Sequence, residues 1–197
     1  MTNRNWRGVS SIGTRHGHPM RIQVDNTPTK MSEIHSFLPI ADVSARILVL
    51  GSMPGKESLR AQQYYAHPRN SFWMIMGELF GALPTLTYES RTEILKAAGV
   101  AVWDVLASCT RDGSLDSDID KTSIVANDFS TFFRNHTQIS AVFFNGTMAE
   151  HCFARHVLPQ LTSQPLHFHR LPSTSPANAA VRYETKREAW AAIGKRT

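Results

Sequence analysis

The chain has 197 residues, of which 42% are hydrophobic and 19% charged, as expected for one soluble globular domain. No apolar run approaches the roughly 18 residues of a membrane-spanning helix, and two cysteines are too few for a disulfide framework or a four-cysteine metal or iron–sulfur site. Lys and Arg number 21 against 16 Asp and Glu, giving a formal charge of +5 that favours a polyanionic partner. We therefore expect a basic cytoplasmic protein.

The predicted elements begin after a polar N-terminal segment. Residues 1–30 have scattered Gly and Pro and no sustained hydrophobic period, so they predict a poorly ordered basic leader before a single domain over 31–197. Short apolar runs predict strands at residues 47–50, 100–103, 141–144 and 166–169. Amphipathic patterns predict helices at 72–80, about 90–98, 128–135, 147–157 and 184–193.

Apolar strands that alternate with helices are typical of an α/β fold. We predict a three-layer α/β/α sandwich with a central four-stranded, mostly parallel sheet. Ligands of such folds bind beyond the carboxyl ends of the strands. The segments GSMPG, WDVLASCTRDGS, NGT and LPSTSPANA fall at these ends, so the site is expected there.

The glycine-bracketed GSMPG segment matches neither of the motifs that it first suggests. A phosphate-binding loop needs four residues between its glycines and Ser or Thr after the lysine, whereas here three intervene and Glu57 follows Lys56. A nucleophile elbow needs serine at the position of Met53. Taken alone, the segment is a turn after a strand.

A metal site is not predicted. Asp116, Asp118 and Asp120 alternate like the start of a calcium loop, but Lys121 stands where that loop needs glycine and Asn127 where it needs glutamate. None of the nine histidines is spaced as HExxH.

The segment QQYYAHPRNSFW places aromatic and polar side chains on one loop. Pro68 disfavours helix just before it, and a helix is predicted to follow from about Ser71. The loop residues are Tyr64, Tyr65, His67, Arg69 and Asn70. An aromatic ring beside an amide suits a planar ligand such as a nucleobase, whereas Phe72 and Trp73 are expected to enter the core.

The segment LPSTSPANA crowds three hydroxyl side chains between two prolines. Pro172 and Pro176 prevent a regular helix or central strand, so the hydroxyls and backbone N–H groups of residues 173–175 are available to oxyanions such as phosphates. The alternative is a solvated loop without a ligand.

Together, GSMPG…SL…QYYAHPRNSFW, VWDVLASCTRDGSLDSDI, FFNG and LPSTSPANA resemble the uracil-DNA glycosylase superfamily, and most closely its hypoxanthine-DNA glycosylase branch. The resemblance spans about residues 34–194. It implies the fold predicted above, with DNA across the carboxyl ends of the strands. It also implies base-excision repair chemistry, in which a damaged nucleotide is flipped into a pocket and water hydrolyses its N-glycosidic bond.

The resemblance also assigns roles to residues. Met53 stands where relatives with the turn GINPG carry a water-activating asparagine, so the catalytic amide is expected to be Asn70, with Tyr65 stacking on the flipped base. Leu171 stands where many relatives have His or Asn to stabilise the leaving base, which leaves the backbone amides near Gly51 and Ser52 as candidates.

The remaining assignments complete the predicted site. The base pocket is predicted to comprise Gly51, Ser52, Met53, Tyr65 and Asn145, and the DNA contacts His67, Arg69, Ser173, Thr174, Ser175, Pro176 and Asn178. Asn145 either reads a base edge or caps the following helix. No individual role follows for Asp104, Ser108, Arg111 and Ser114, and Asp104 alternatively pairs with Arg111.

The leading hypothesis is a monofunctional hydrolase, without metal or cofactor, that excises hypoxanthine from DNA, with uracil or xanthine as further substrates. Its expected partner is double-stranded or single-stranded DNA containing the damaged base, and a monomer is expected. Two alternatives stay open: a general uracil- or mismatch-type glycosylase of the same fold, and a catalytically silent DNA-damage-binding module.

Overall fold

A computed structural model describes residues 32–161 and 165–195, so the leader predicted at 1–30 lies outside the described residues. The strands are β1 (Ser32–His35), β2 (Ile47–Gly51), β3 (Val100–Asp104), β4 (Leu106–Arg111), β5 (Val125–Ala126), β6 (Ala141–Asn145) and β7 (His167–Leu171). The α-helices are α1 (Lys56–Ala61), α2 (Phe72–Phe80), α3 (Tyr88–Ala97), α4 (Phe129–Asn135), α5 (Thr147–His156) and α6 (Tyr183–Trp190).

A four-stranded parallel sheet forms the centre of the domain. Its strand order is β3-β2-β6-β7, and every neighbouring pair is parallel. The sheet interior is continuous apolar sequence because α3, α5 and α6 pack against its strands. The predicted α/β fold with a four-stranded parallel sheet is therefore confirmed. Its registers place Asp104 beside Gly51 and Leu171 beside Asn145 at the carboxyl edge.

A second, antiparallel sheet was not predicted from the sequence. Its order is β1-β4-β5, and β4 begins only two residues after β3 ends. Strand β1 is mostly exposed and β5 has two residues, so neither carries an apolar run. The segment WDVLASCTRDGS, which was interpreted as a loop after the second predicted strand, is instead largely β4. Backbone pairing to β1 holds this strand, rather than a strongly hydrophobic sequence.

Smaller differences at element ends have local causes. The last parallel strand runs over His167–Leu171 rather than 166–169, because its pairing with β6 continues to the end of both strands. Helix α4 begins at Phe129 because Asp128 is its N-cap and accepts a hydrogen bond from the Thr131 N–H at 2.9 Å. Helix α1 was not predicted, since its six residues carry no clear apolar period.

Among the residues described, no helix is long and apolar enough to cross a bilayer.

Candidate active-site cleft

A cleft of about 740 Å³ lies at the carboxyl edge of the parallel sheet. Its walls come from the turn after β2, the loop between α1 and α2, the loop after β4 and the Ser/Pro-rich loop after β7. Every residue predicted for the base pocket, for catalysis or for DNA contact lines this one cleft. Segments separated by more than 100 residues in sequence therefore meet around a space large enough for a nucleotide.

The floor of the cleft depends on a glycine at the end of β2. A Cβ at Gly51 would contact the Asp104 Oδ1 atom and would lie 3.1 Å from the Tyr65 hydroxyl. Its carbonyl accepts the N–H of Val105 at 2.9 Å, which fixes the backbone at this point. Only glycine lets the carboxyl group and the phenol approach this strand end so closely.

Tyr65 is held with its ring against the core. Its backbone has φ of +55°, and its ring stacks on Phe72 with centroids 4.0 Å apart and planes 24° from parallel. The neighbouring Tyr64 was predicted to lie free on the loop, but it is only 2% exposed and donates its hydroxyl to the Phe37 carbonyl at 3.2 Å. Tyr64 therefore anchors the loop, and although both tyrosines border the cleft, Tyr65 is the more exposed of the two.

Asn70 lies directly before helix α2. Its Oδ1 atom accepts the N–H of Phe72 at 3.0 Å, and its backbone N–H donates to the His67 carbonyl at 2.8 Å. Because an N–H can donate only to the amide oxygen, this bond also fixes which side of the amide is oxygen. The oxygen keeps a second lone pair, and the side-chain NH₂ makes no hydrogen bond within the described ranges. The amide is thus oriented yet still able to bind a ligand or a water molecule.

The Ser/Pro-rich loop is tied to the cleft through Thr174. Asn145 donates to Thr174 Oγ1 at 2.9 Å and accepts the Thr174 N–H at 2.8 Å, while the Thr174 carbonyl accepts the Ser71 N–H at 3.1 Å. Thr174 is 1% exposed, so the expectation that its hydroxyl is available to phosphate is wrong. The sequence could not show that Asn145 would bury this threonine.

The two serines of this loop remain at the surface of the cleft. Ser173 Oγ accepts the Ser175 N–H, and Ser175 Oγ accepts the Ala177 N–H, both at 3.2 Å. Each hydroxyl hydrogen is still free to donate, because these bonds use only an oxygen lone pair. The short 3₁₀ helix Pro176–Asn178 follows, and Asn178 donates to the Ser173 carbonyl at 3.1 Å.

Replacing Asn145 with alanine is expected to destabilise the domain by about 1–3 kcal/mol. The change removes two hydrogen bonds and leaves the buried Thr174 N–H without its acceptor. Chemical denaturation measures the free energy of unfolding. Asn135→Ala, at an exposed position at the end of α4, is the matched control and should change this value by less than about 0.5 kcal/mol. Equal unfolding midpoints for both variants would contradict this account of the loop.

Asp104 lines the cleft, although the sequence assigned it no individual role. It is 3% exposed, and Ser36 Oγ donates to its Oδ2 atom at 2.8 Å. Burial raises the pKa of this carboxyl group to about 7. The alternative that Asp104 pairs with Arg111 is wrong: Arg111 donates to the Pro54 carbonyl and makes no ion pair with Asp104 in the part of the chain that is described. The sequence signal that could have pointed to Asp104 is its position: it is an acidic residue at the end of an otherwise apolar strand.

A second carboxyl group braces the turn after β2. Asp116 accepts the Ser52 hydroxyl at 2.8 Å, and burial raises its pKa. Ser114 Oγ accepts the Lys56 N–H at 3.1 Å at the start of α1, whereas Ser108 is buried in β4 outside the cleft.

Leu171 is also buried and does not line the cleft, so it offers no group to a departing base. Within residues 32–161 and 165–195, no group of three or more His, Cys, Asp or Glu is placed to hold a metal ion.

Comparisons with known proteins find similar sequences. The family model described as the uracil DNA glycosylase superfamily matches residues 38–194, which include the whole cleft. The chain is 36% identical to the hypoxanthine DNA glycosylase of Methanosarcina acetivorans over 159 residues, covering 80% of this chain and 95% of that protein. It is 39% identical to the hypoxanthine DNA glycosylase of Methanosarcina barkeri over 111 residues, covering 56% of this chain and 69% of that one.

A solved structure shows the same fold. The solution NMR structure of a candidate uracil DNA glycosylase from Methanosarcina acetivorans is 32% identical to this chain, with a TM-score of 0.69. The match covers 83% of this chain and 98% of that one.

Proposed function

This chain belongs to the uracil DNA glycosylase superfamily, and we propose that it excises hypoxanthine from deaminated DNA by hydrolysing the N-glycosidic bond of a flipped-out nucleotide. The observation that carries the proposal is the meeting of Tyr65 and Asn70 in one cleft. The relatives named hypoxanthine DNA glycosylases support this choice of base. We propose that the protein acts as a monomer on double-stranded DNA.

The Tyr65 ring forms an aromatic wall of the cleft and offsets the free-energy cost of base flipping. Extruding a nucleotide costs a few kcal/mol of stacking and pairing, whereas stacking on an aromatic side chain returns about 1–3 kcal/mol per base. Tyr65 is suited to this role because Phe72 supports one face of its ring and Phe72 is itself fully buried. A supported ring loses little freedom when a base binds, so most of the stacking energy goes to stabilising the flipped state.

Asn70 positions the attacking water. As the glycosidic bond breaks, the sugar becomes oxocarbenium-like and needs a weak nucleophile held in line rather than a strong base. The Asn70 oxygen is held by the first turn of α2 and has a lone pair left for a water hydrogen. Met53, on the opposite turn, has only a thioether and does not orient water.

The proposed function is tested by strand scission. Duplexes that carry hypoxanthine, uracil or xanthine are incubated with the protein, and alkali then cleaves any abasic site. We expect cleavage of the hypoxanthine duplex in excess of the others. Faster cleavage of the uracil duplex would favour a general uracil glycosylase, and tight binding without any cleavage would favour a silent damage-binding module.

Tyr65→Ala is expected to lower single-turnover excision by about 10- to 100-fold, because the stacking energy of the flipped base is lost. Tyr65→Phe keeps the ring plane and its contact with Phe72 and loses only the hydroxyl, so its loss of rate is expected to be clearly smaller than that of Tyr65→Ala. Rapid-quench measurement of base release compares the two variants under enzyme excess. Equal losses in both would show that the hydroxyl, rather than the ring face, carries the effect.

Binding to undamaged duplex is expected to weaken with salt. Lys56 and Arg69 are exposed at the cleft and have no ion-pair partner in the described part of the chain. Two phosphate contacts predict a loss of roughly tenfold in affinity between 50 and 200 mM salt. Fluorescence anisotropy should show the salt slope falling by about 1 in Arg69→Ala.

The matched control for that slope is Arg134→Ala, since Arg134 is an exposed arginine on α4 outside the cleft. Its slope should equal that of the wild type. A reduction of the slope by Arg134→Ala, with none from Arg69→Ala, would place the DNA on another face.

A further inference from the structure

The carboxyl group of Asp104 has one oxygen fixed and the other open. Ser36, which follows β1, donates its hydroxyl to Oδ2 at 2.8 Å. The Oδ1 atom accepts no hydrogen bond from the residues that the structure describes, and the side chain lines the cleft. Burying a carboxyl oxygen without a hydrogen-bond partner costs folding free energy unless a ligand or water supplies the missing hydrogen bond. Its open side faces the space where a ligand would enter.

The Tyr65 hydroxyl borders the same space. An added Cβ on Gly51 would meet both this hydroxyl and Asp104 Oδ1, so the two groups flank one point just above the strand end. The hydroxyl is buried beside the Asn145 amide, yet it makes no hydrogen bond of ordinary geometry with any described residue. Two polar groups with unused hydrogen-bonding capacity therefore meet in the cleft beside Gly51, where the polar edge of a base could hydrogen-bond to both.

We propose that Asp104, in its protonated form, contacts the flipped purine and transfers its proton to a ring nitrogen as the base departs. This role rests on the proposed function. The C1′–N9 bond breaks and its electron pair goes to the purine, while the Asp104 O–H bond breaks and the proton joins N7 or N3. Water adds to C1′ and loses one proton, which restores the carboxylic acid, so the net reaction adds one water molecule. The acid supplies the leaving-group stabilisation that Leu171 cannot give.

The surroundings of Asp104 keep a substantial fraction of its carboxyl group protonated near neutral pH. Burial raises the pKa of Asp104 to about 7, and the Ser36 hydrogen bond opposes that rise. Asp116 raises the pKa of Asp104 and Arg111 lowers it, and Asp104 in turn raises the pKa of Tyr64, Tyr65 and Tyr88. Burial raises the pKa of all three tyrosines, so they stay neutral where Asp104 titrates.

The test is the pH dependence of single-turnover hypoxanthine release from a deoxyinosine duplex between pH 5.5 and 9. Because the protonated form acts, the wild-type rate should fall above about pH 7, approaching tenfold per pH unit. Asp104→Asn should release hypoxanthine at least about 10²-fold more slowly at pH 6, and its remaining rate should not fall above pH 7. Loss of this fall in Asp104→Asn would also separate Asp104 from His67, which lines the same cleft.

Ser36→Ala gives a second test that does not alter the acid itself. The Ser36 hydrogen bond lowers the pKa of Asp104, so its removal should move the alkaline fall to higher pH. The matched control for Asp104→Asn is Asp112→Asn, because Asp112 is exposed and lies outside the cleft. The rate and pH profile of this control should equal those of the wild type.

Two results would overturn the role of Asp104. One is a wild-type rate that does not change across this pH range, and the other is an Asp104→Asn rate and profile equal to the wild type. Absence of base release by the wild type at every pH would instead contradict the proposed function, and the role of Asp104 with it.

Discussion

Asn70→Ala is expected to lower single-turnover base excision by about 10²- to 10³-fold, because the group that holds the attacking water is removed. Duplex binding should change little, since the aromatic wall and the cationic side chains remain. The measurement is hypoxanthine release under enzyme excess, together with anisotropy on the same duplex. Excision at the wild-type rate would show that another group positions the water.

The control for this variant must separate catalysis from stability. Asn70 Oδ1 also accepts the first N–H of α2, so its loss is expected to cost about 1 kcal/mol of folding free energy. Thr87, the N-cap of α3, likewise accepts a backbone N–H of the first helical turn, that of Ser90 at 3.2 Å, and it lies outside the cleft. Thr87→Ala should therefore lose a similar amount of stability and keep the wild-type excision rate.

Gly51→Ala is expected to reduce both folding stability and excision. The new methyl group would collide with Asp104 Oδ1 and crowd the Tyr65 hydroxyl, and both side chains are held in place, Asp104 by Ser36 and Tyr65 by Phe72. Overpacking of this kind costs about 1–3 kcal/mol. Because the methyl group also projects between Asp104 and Tyr65 in the proposed base pocket, we expect excision to fall by at least about 10²-fold. Denaturant unfolding and single-turnover release give the two values.

Gly55→Ala is the matched control in the same turn. A Cβ at Gly55 meets no atom within 4 Å, and its φ of −74° suits alanine. Its stability should stay within about 0.5 kcal/mol of the wild type. If both glycine variants behaved alike, the close approach of Asp104 and Tyr65 to Gly51 would contribute nothing to stability or excision.

The central sheet could be predicted from the sequence because its signal is local. Runs such as ILVL and AVFF are apolar throughout, since parallel strands are covered on both sides, and the intervening helices carry a matching period. The antiparallel sheet could not be predicted in the same way. Strand β1 has three exposed residues out of four and depends on backbone pairing with β4, a contact between segments about 75 residues apart.

The candidate site could likewise be predicted only in part. The sequence indicated which residues meet, because the carboxyl ends of parallel strands share one edge, and all of them line the cleft. It did not indicate what each side chain does there. Thr174 is buried by Asn145, Tyr64 by the core, and Asp104 gains its raised pKa from burial, none of which a local pattern encodes. Such effects depend on which neighbours surround a group, and those neighbours come from distant segments.

The most direct test of the central claim identifies the small molecule that a single turnover releases. The wild-type protein is mixed in excess with a deoxyinosine duplex, and the products that pass a size filter are identified by mass spectrometry. The account predicts free hypoxanthine, with an intact strand that carries one abasic site. Release of a nucleoside or nucleotide, or of no product from a duplex that the protein binds, would contradict it.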